Sequence, residues 1–94
     1  MNTNRQLFLQ HLGQTSPEPM MLEPVRAHGC RITDAHGKEY LDLIAGISVS
    51  NVGHSHPEVL AAVKQQVDAY MHVMVYGEFV ESPQVQYATW LAAH

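Results

Sequence analysis

Seven histidines, two lysines, one cysteine and two aspartates around a glycine turn are the residues of this 94-residue chain whose chemistry could exceed a structural role. His54 and His56 stand two apart, a spacing at which an extended backbone turns two imidazoles to one side and offers nitrogen donors to a metal. A stable site needs a third and a fourth ligand, and neither HExxH nor a regular His/Asp spacing supplies them. No metal site is expected. The pair reads better as a corner in which the rings hydrogen-bond backbone or a helix end, with contact to a ligand or partner subunit as the other reading. His28, His36, His72 and His94 fall in expected turns or termini and read as ordinary surface residues.

The lysines exclude more than they offer. Imine chemistry requires a desolvated amine of lowered pKa, whereas Lys38 falls in a turn and Lys64 on the polar side of a helix, where an amine stays solvated and protonated. Cys30 is alone, so no internal disulfide can form, and a partly buried thiol is expected. Asp34 is expected to accept turn amides, and Asp42, between Leu41 and Leu43, to face solvent or a backbone donor. GxSxG, GxGxxG and GxxxxGK[ST] are all missing. Nothing in these residues carries a complete reaction.

The elements that position these groups are well punctuated. Residues 3–12 place Leu7, Phe8 and Leu12 near a helical stripe with Thr3 or Asn4 as the cap, and Gly13 ends it. The stretch from Gly13 to Pro24 holds three prolines and reads as an extended arm whose Met20, Met21 and Leu22 need cover. Val25 to Thr33 alternates, Asp34 to Gly37 forms a turn, and Tyr40 to Ile44 returns as the second strand of a hairpin. Gly46 marks a bend, and Ile47 to Ser50 is expected as a third strand. Gly53 signals a left-handed or closely approached backbone.

Ser55 and Glu58 have the spacing of a capping box, and Pro57 opens a helix whose apolar side is Val59, Val63, Val67 and Tyr70. Residues 71–81 read as a loop lining a surface. Ser82-Pro83 opens a last helix, expected to continue past His94. The expected organisation is a helix and arm over 1–24 and an incomplete α+β unit over 25–94, a small antiparallel sheet with flanking helices.

Composition limits the partners. The formal charge is −4, only 15% of residues are charged, and no Lys/Arg cluster occurs, which argues against nucleic acid. Low charge on a small chain that is 46% hydrophobic points to a surface covered by more protein. No run approaches the length of a membrane span, no secretory leader is visible, and a soluble cytoplasmic protein is expected.

The stretch GKEYLDLIAGISVSNVGHSHPEVLAAVKQQV, Gly37 to Val67, resembles the N-terminal region of class III pyridoxal-phosphate-dependent aminotransferases, the group of ornithine, acetylornithine, 4-aminobutyrate and diaminopelargonate enzymes. The resemblance runs from about Met21 onward. It rests on Asp34, Gly37, Tyr40-Leu41-Asp42, Gly46, Asn51, Gly53-His54 and His56-Pro57 in this order and spacing.

The resemblance implies a longer parent of fold type I, a homodimer with its active site at the subunit interface. Its chemistry would move an amino group from an amino acid or ω-amine donor to a 2-oxo acid through pyridoxal phosphate. Ile47 matches the position from which the family projects a side chain onto substrate, with Ser48 and Val49 close by and Tyr76 near the pocket. Asp34, Gly37, Asp42, Gly46, Asn51, Gly53, His54, His56 and Pro57 are carried over as structural motif residues. The cofactor-binding and catalytic groups are expected beyond residue 94, so this piece alone is expected to be inactive. An aminomutase or isomerase on the same scaffold, or a non-catalytic assembly module, are the alternatives.

Overall fold

The computed structural model describes residues 1–75 and 77–94, which divide into two compact units, Met1–Leu60 and Ala61–His94. In the first unit α1 (Asn4–His11) starts at Thr3, whose hydroxyl accepts from the Gln6 amide at 3.3 Å while the Gln6 side chain accepts from the Thr3 amide at 2.8 Å. This reciprocal pair satisfies two of the amides that every helix start leaves without partners. The connector that follows has no regular secondary structure up to β1.

β1 (Pro24–His28), β2 (Arg31–Asp34) and β3 (Glu39–Leu41) form an antiparallel meander in the order β1-β2-β3. Ala27 pairs with Ile32, and Ile32 with Tyr40, with the register of β1 shifting between Pro24 and Arg26. Among the described residues three strands are present, but they are not drawn from the expected residues. The segment from Val25 to Thr33 is not one strand: it reverses at Gly29, whose φ is 57°. Gly29 exchanges both backbone hydrogen bonds with His54, at 2.9 and 2.8 Å, and this bridge fixes the reversal.

Leu43 and Ile44 lie past the end of β3, and the strand expected over Ile47 to Ser50 is replaced by the single helical turn α2 (Ala45–Ser48). Its hand is left. Ala45, Gly46, Ile47 and Ser48 have φ of 52°, 63°, 63° and 64°, between right-handed Ile44 and Val49.

α3 (Pro57–Ala69) begins at the expected proline, but not through a capping box. Ser55 has φ of 54° and donates its hydroxyl to the Ala27 carbonyl at 2.7 Å. The Glu58 amide instead donates to Nδ1 of His56 at 3.3 Å. The hydroxyl is thus committed to the edge of β1, and the neighbouring imidazole takes the amide that Ser55 was expected to hold.

The second unit holds most of α3, a stretch whose described residues form neither helix nor strand, and α4 (Ser82–Ala93), which has a proline in its first turn. Trp90 stacks between Tyr87 and His94, with ring centroids 6.3 and 4.9 Å away. Among the described residues no hydrophobic side chain is buried, and Asp34 is the one buried polar residue. Cys30, expected to be partly buried, is exposed because it sits at the outside of the β1–β2 reversal. No helix is long and apolar enough to cross a membrane among the described residues.

Candidate functional site

Two aspartates organise the local structure, each by the same arrangement of acceptors. Asp34 ends β2; one of its oxygens accepts from the amides of His36 and Lys38, both at 2.9 Å, and the other from the Tyr40 hydroxyl at 2.9 Å. Burial alone would raise its pKa. The Lys38 amide, the Tyr40 hydroxyl and the His36 amide outweigh burial and hold the carboxyl below its ordinary value.

Asp42 follows β3. Its Oδ1 accepts from the Ile44 amide at 2.9 Å and the Ala45 amide at 3.0 Å, and its Oδ2 lies 2.5 Å from Nε2 of His54. The carboxylate side chain is only 7% exposed and the ring 21%. The Ala45 amide, then the His54 ring and the Ile44 amide, draw the pKa of Asp42 down. An ionised carboxylate only accepts, so Nε2 of His54 is the donor. Of the two surroundings expected for Asp42, solvent or a backbone donor, the structure shows the backbone donors Ile44 and Ala45, and it adds one that was not expected, the ring of a histidine twelve positions on.

What Asp42 holds is the entry to the left-handed turn. Three non-glycine residues there, Ala45, Ile47 and Ser48, are left-handed at a cost of about 1–2 kcal/mol each. Offsetting bonds run from the Ile47 and Ser48 amides to the Ile44 carbonyl, and from the Val49 and Ser50 amides to the Ala45 carbonyl. The two Asp42 bonds to Ile44 and Ala45 add to these at the point where the hand changes. On its outer side the turn carries Ile47, 84% exposed, Ser48 and Val49.

His54 is itself fixed from behind. Its backbone is bridged to Gly29, and Gly53 packs so closely that an added Cβ would meet the Gly29 carbonyl oxygen at 3.3 Å. Ser55 then ties to Ala27. The corner motif Gly53 to Pro57 is thereby fastened to β1 and to the reversal at Gly29, and through His54 to Asp42.

The substrate-pocket expectations Ile47, Ser48 and Val49 fall together on or beside α2, with Gly46 inside it. Asn51 follows, its amide donating to the Val49 carbonyl at 3.0 Å. Gly37 closes the Asp34 turn with φ of 83°, and Pro57 starts α3. Tyr76 lies outside the described residues. The His54–Asp42 and Ser55–Ala27 contacts escaped sequence reasoning, because neither partner announces the other by spacing.

Asp42 is saturated by donors and held ionised, which suits it to fixing shape and not to abstracting protons. Among the described residues no group of three or more His, Cys, Asp or Glu side chains could hold a metal. Lys38 and Lys64 are exposed, the former with Nζ 4.9 Å from the Tyr40 ring centre. Neither fits the desolvated amine of an imine-forming lysine.

A small antiparallel sheet with flanking helices is the N-terminal architecture of a fold-type I pyridoxal-phosphate transferase. The family model described as aminotransferase class-III matches residues 13–94, and the chain belongs to that family. It is 43% identical over 82 residues to an acetylornithine aminotransferase of Myxococcus xanthus, covering 87% of this chain and 20% of that protein. It is 39% identical over 89 residues to a 4-aminobutyrate aminotransferase of Escherichia coli, covering 86% of this chain and 21% of that protein. The solved taurine:2-oxoglutarate aminotransferase of Bifidobacterium kashiwanohense, in complex with PLP and glutamate, superposes with a TM-score of 0.79 at 27% identity over 93% of this chain and 20% of its own. The chain thus spans about a fifth of the length of the curated relatives it matches.

Proposed function

We propose that this chain supplies the N-terminal part of a homodimeric aminotransferase that moves an amino group from an amino acid or ω-amine donor to a 2-oxo acid. Residues 1–24 form its leading helix and arm, and residues 25–94 the N-terminal share of its small domain, the crossing segment and the start of the connection to the large domain. The observation that carries this reading is membership of the class-III family over residues 13–94. Relatives named for acetylornithine, 4-aminobutyrate and taurine support amine donors as a class without choosing among them.

Pyridoxal phosphate, when bound, supplies the electron sink for such chemistry. The described residues of this chain do not fit it: both lysines are exposed, the carboxylate of Asp34 is committed to donors of its own turn, and that of Asp42 to its own turn and to His54. No step is therefore assigned through the cofactor to these residues. Their part in the reading is to bind and orient. Ile47 and Val49 offer apolar surface to a donor chain and keep water from it, and Ser48 offers a hydroxyl beside them.

The test uses the full-length gene product. Borohydride treatment with cofactor is expected to fix one lysine outside residues 1–94, and amine transfer is expected to require a 2-oxo acid. Fixation at Lys38 or Lys64 would overturn the placement of the cofactor. Product that is an isomer of the substrate, formed without an acceptor, would replace the aminotransferase by an aminomutase.

A further inference from the structure

We propose that His54 is a positioning residue for donor selectivity, acting through Asp42 on the left-handed turn that presents Ile47. The inference rests on reading Ile47 as a pocket residue of an aminotransferase. Four links carry it. The His54 backbone is bridged in both directions to Gly29, so the ring has a fixed base. The ring meets Oδ2 of Asp42 at 2.5 Å, and the opposite oxygen holds the Ile44 and Ala45 amides. Those two amides enter a turn in which a β-branched residue, Ile47, has φ of 63° and ψ of 63°. A β-branched side chain avoids this region unless its surroundings enforce it.

The consequence follows from geometry. Without the ring, Asp42 loses the contact that stops its carboxylate from rotating toward water, and its bonds to the Ile44 and Ala45 amides open more often. The turn then exchanges with extended or right-handed backbone, and each such state points Ile47 elsewhere. Among the described residues the polar partner of the His54 ring is Asp42, so its influence on a donor passes through Asp42. An amide side chain of similar reach can donate the same bond, so His54→Gln preserves the latch whereas His54→Ala removes it.

The experiment is a double-mutant cycle in the full-length holoenzyme, with kcat/KM measured for one long and one short amine donor. Ile47→Ala alone and His54→Ala alone are each expected to change the ratio of the two donors about tenfold, the scale of one apolar pocket contact. The double variant is expected to change it about tenfold as well, since both remove the same contact. His54→Gln is expected to keep the wild-type ratio. A hundredfold change in the double variant, or an unchanged ratio in His54→Ala, would overturn the proposal.

Hydrogen exchange at the Ile44 and Ala45 amides gives a readout that needs no activity. It is expected to quicken in His54→Ala and return in His54→Gln; unchanged exchange in His54→Ala overturns the latch. An inactive wild-type protein would overturn the aminotransferase reading and the selectivity role together, while the exchange result would still decide whether His54 holds the turn.

Discussion

Asp34 and Asp42 show how far a single residue could be read. Asp34 was legible because all of its donors lie within six residues: a turn aspartate before Gly37 has the His36 and Lys38 amides within reach, and Tyr40 follows on the next strand. Asp42 was legible only by half. Its amide donors are local, but its ring partner arrives from His54 after a left-handed turn and a bridge to Gly29, and no local spacing encodes that.

Both carboxyls titrate lower in the folded chain than the ordinary value of 3.8. The stability each contributes is therefore complete above the unfolded value and is lost as pH falls through the lower, folded one. Asp34→Asn in the full-length protein is expected to lower the melting temperature near neutrality, with the gap to wild type narrowing below about pH 4. Scanning calorimetry across that range checks this, and a gap independent of pH would contradict it. At Gly53 both the φ of 83° and the 3.3 Å approach to the Gly29 carbonyl oppose a side chain. Gly53→Ala is expected to cost at least about 1–2 kcal/mol in denaturant titration, and a neutral result would mean that the bridge is not fixed.

At the scale of elements, helices read more truly than strands. Proline at Pro57 and Pro83 and apolar spacing after them mark α3 and α4, because both signals are local to the helix. The strands failed where something other than strand pairing turns the chain: at Gly29 the distant backbone of His54, and after Asp42 its own carboxylate. The same Ser/Thr-x-x-Glu/Gln spacing also gave opposite outcomes. Thr3 and Gln6 form the box, and Ser55 with Glu58 does not, because the Ser55 hydroxyl is drawn to Ala27. Thr3→Ala should therefore destabilise α1 by about 1 kcal/mol, seen as faster exchange in its first turn. Ser55→Ala should leave the Glu58 amide as slow as in wild type while His56→Ala quickens it; the reverse order would restore the capping box.

For the molecule as a whole, the low charge and the apolar arm pointed to missing cover, and the described residues agree with that in each unit. The first unit has an open apolar cleft of about 680 Å³, lined by Leu7, Phe8, Leu12, Met20, Met21 and Leu22. In the second, Val63 and Val67 of α3 and Trp90 and Leu91 of α4 all remain about half exposed. Burying apolar area is the main force that offsets the entropy of ordering a chain, and here no hydrophobic side chain among those described is buried. Capped helices and a three-stranded meander give local order without the cooperativity that a shared core supplies.

The 94 residues alone, as a monomer, are thus expected to lose ellipticity gradually on heating, to bind an apolar dye, and to show poorly dispersed amide signals. The same residues within the full-length protein are expected to resist exchange and to melt with the rest. A monomer of 94 residues with one sharp transition and well-dispersed amides would show that the local hydrogen bonds around Asp34 and Asp42 suffice. The need for cover by further chain would then be withdrawn, and the assembly-module reading would take its place.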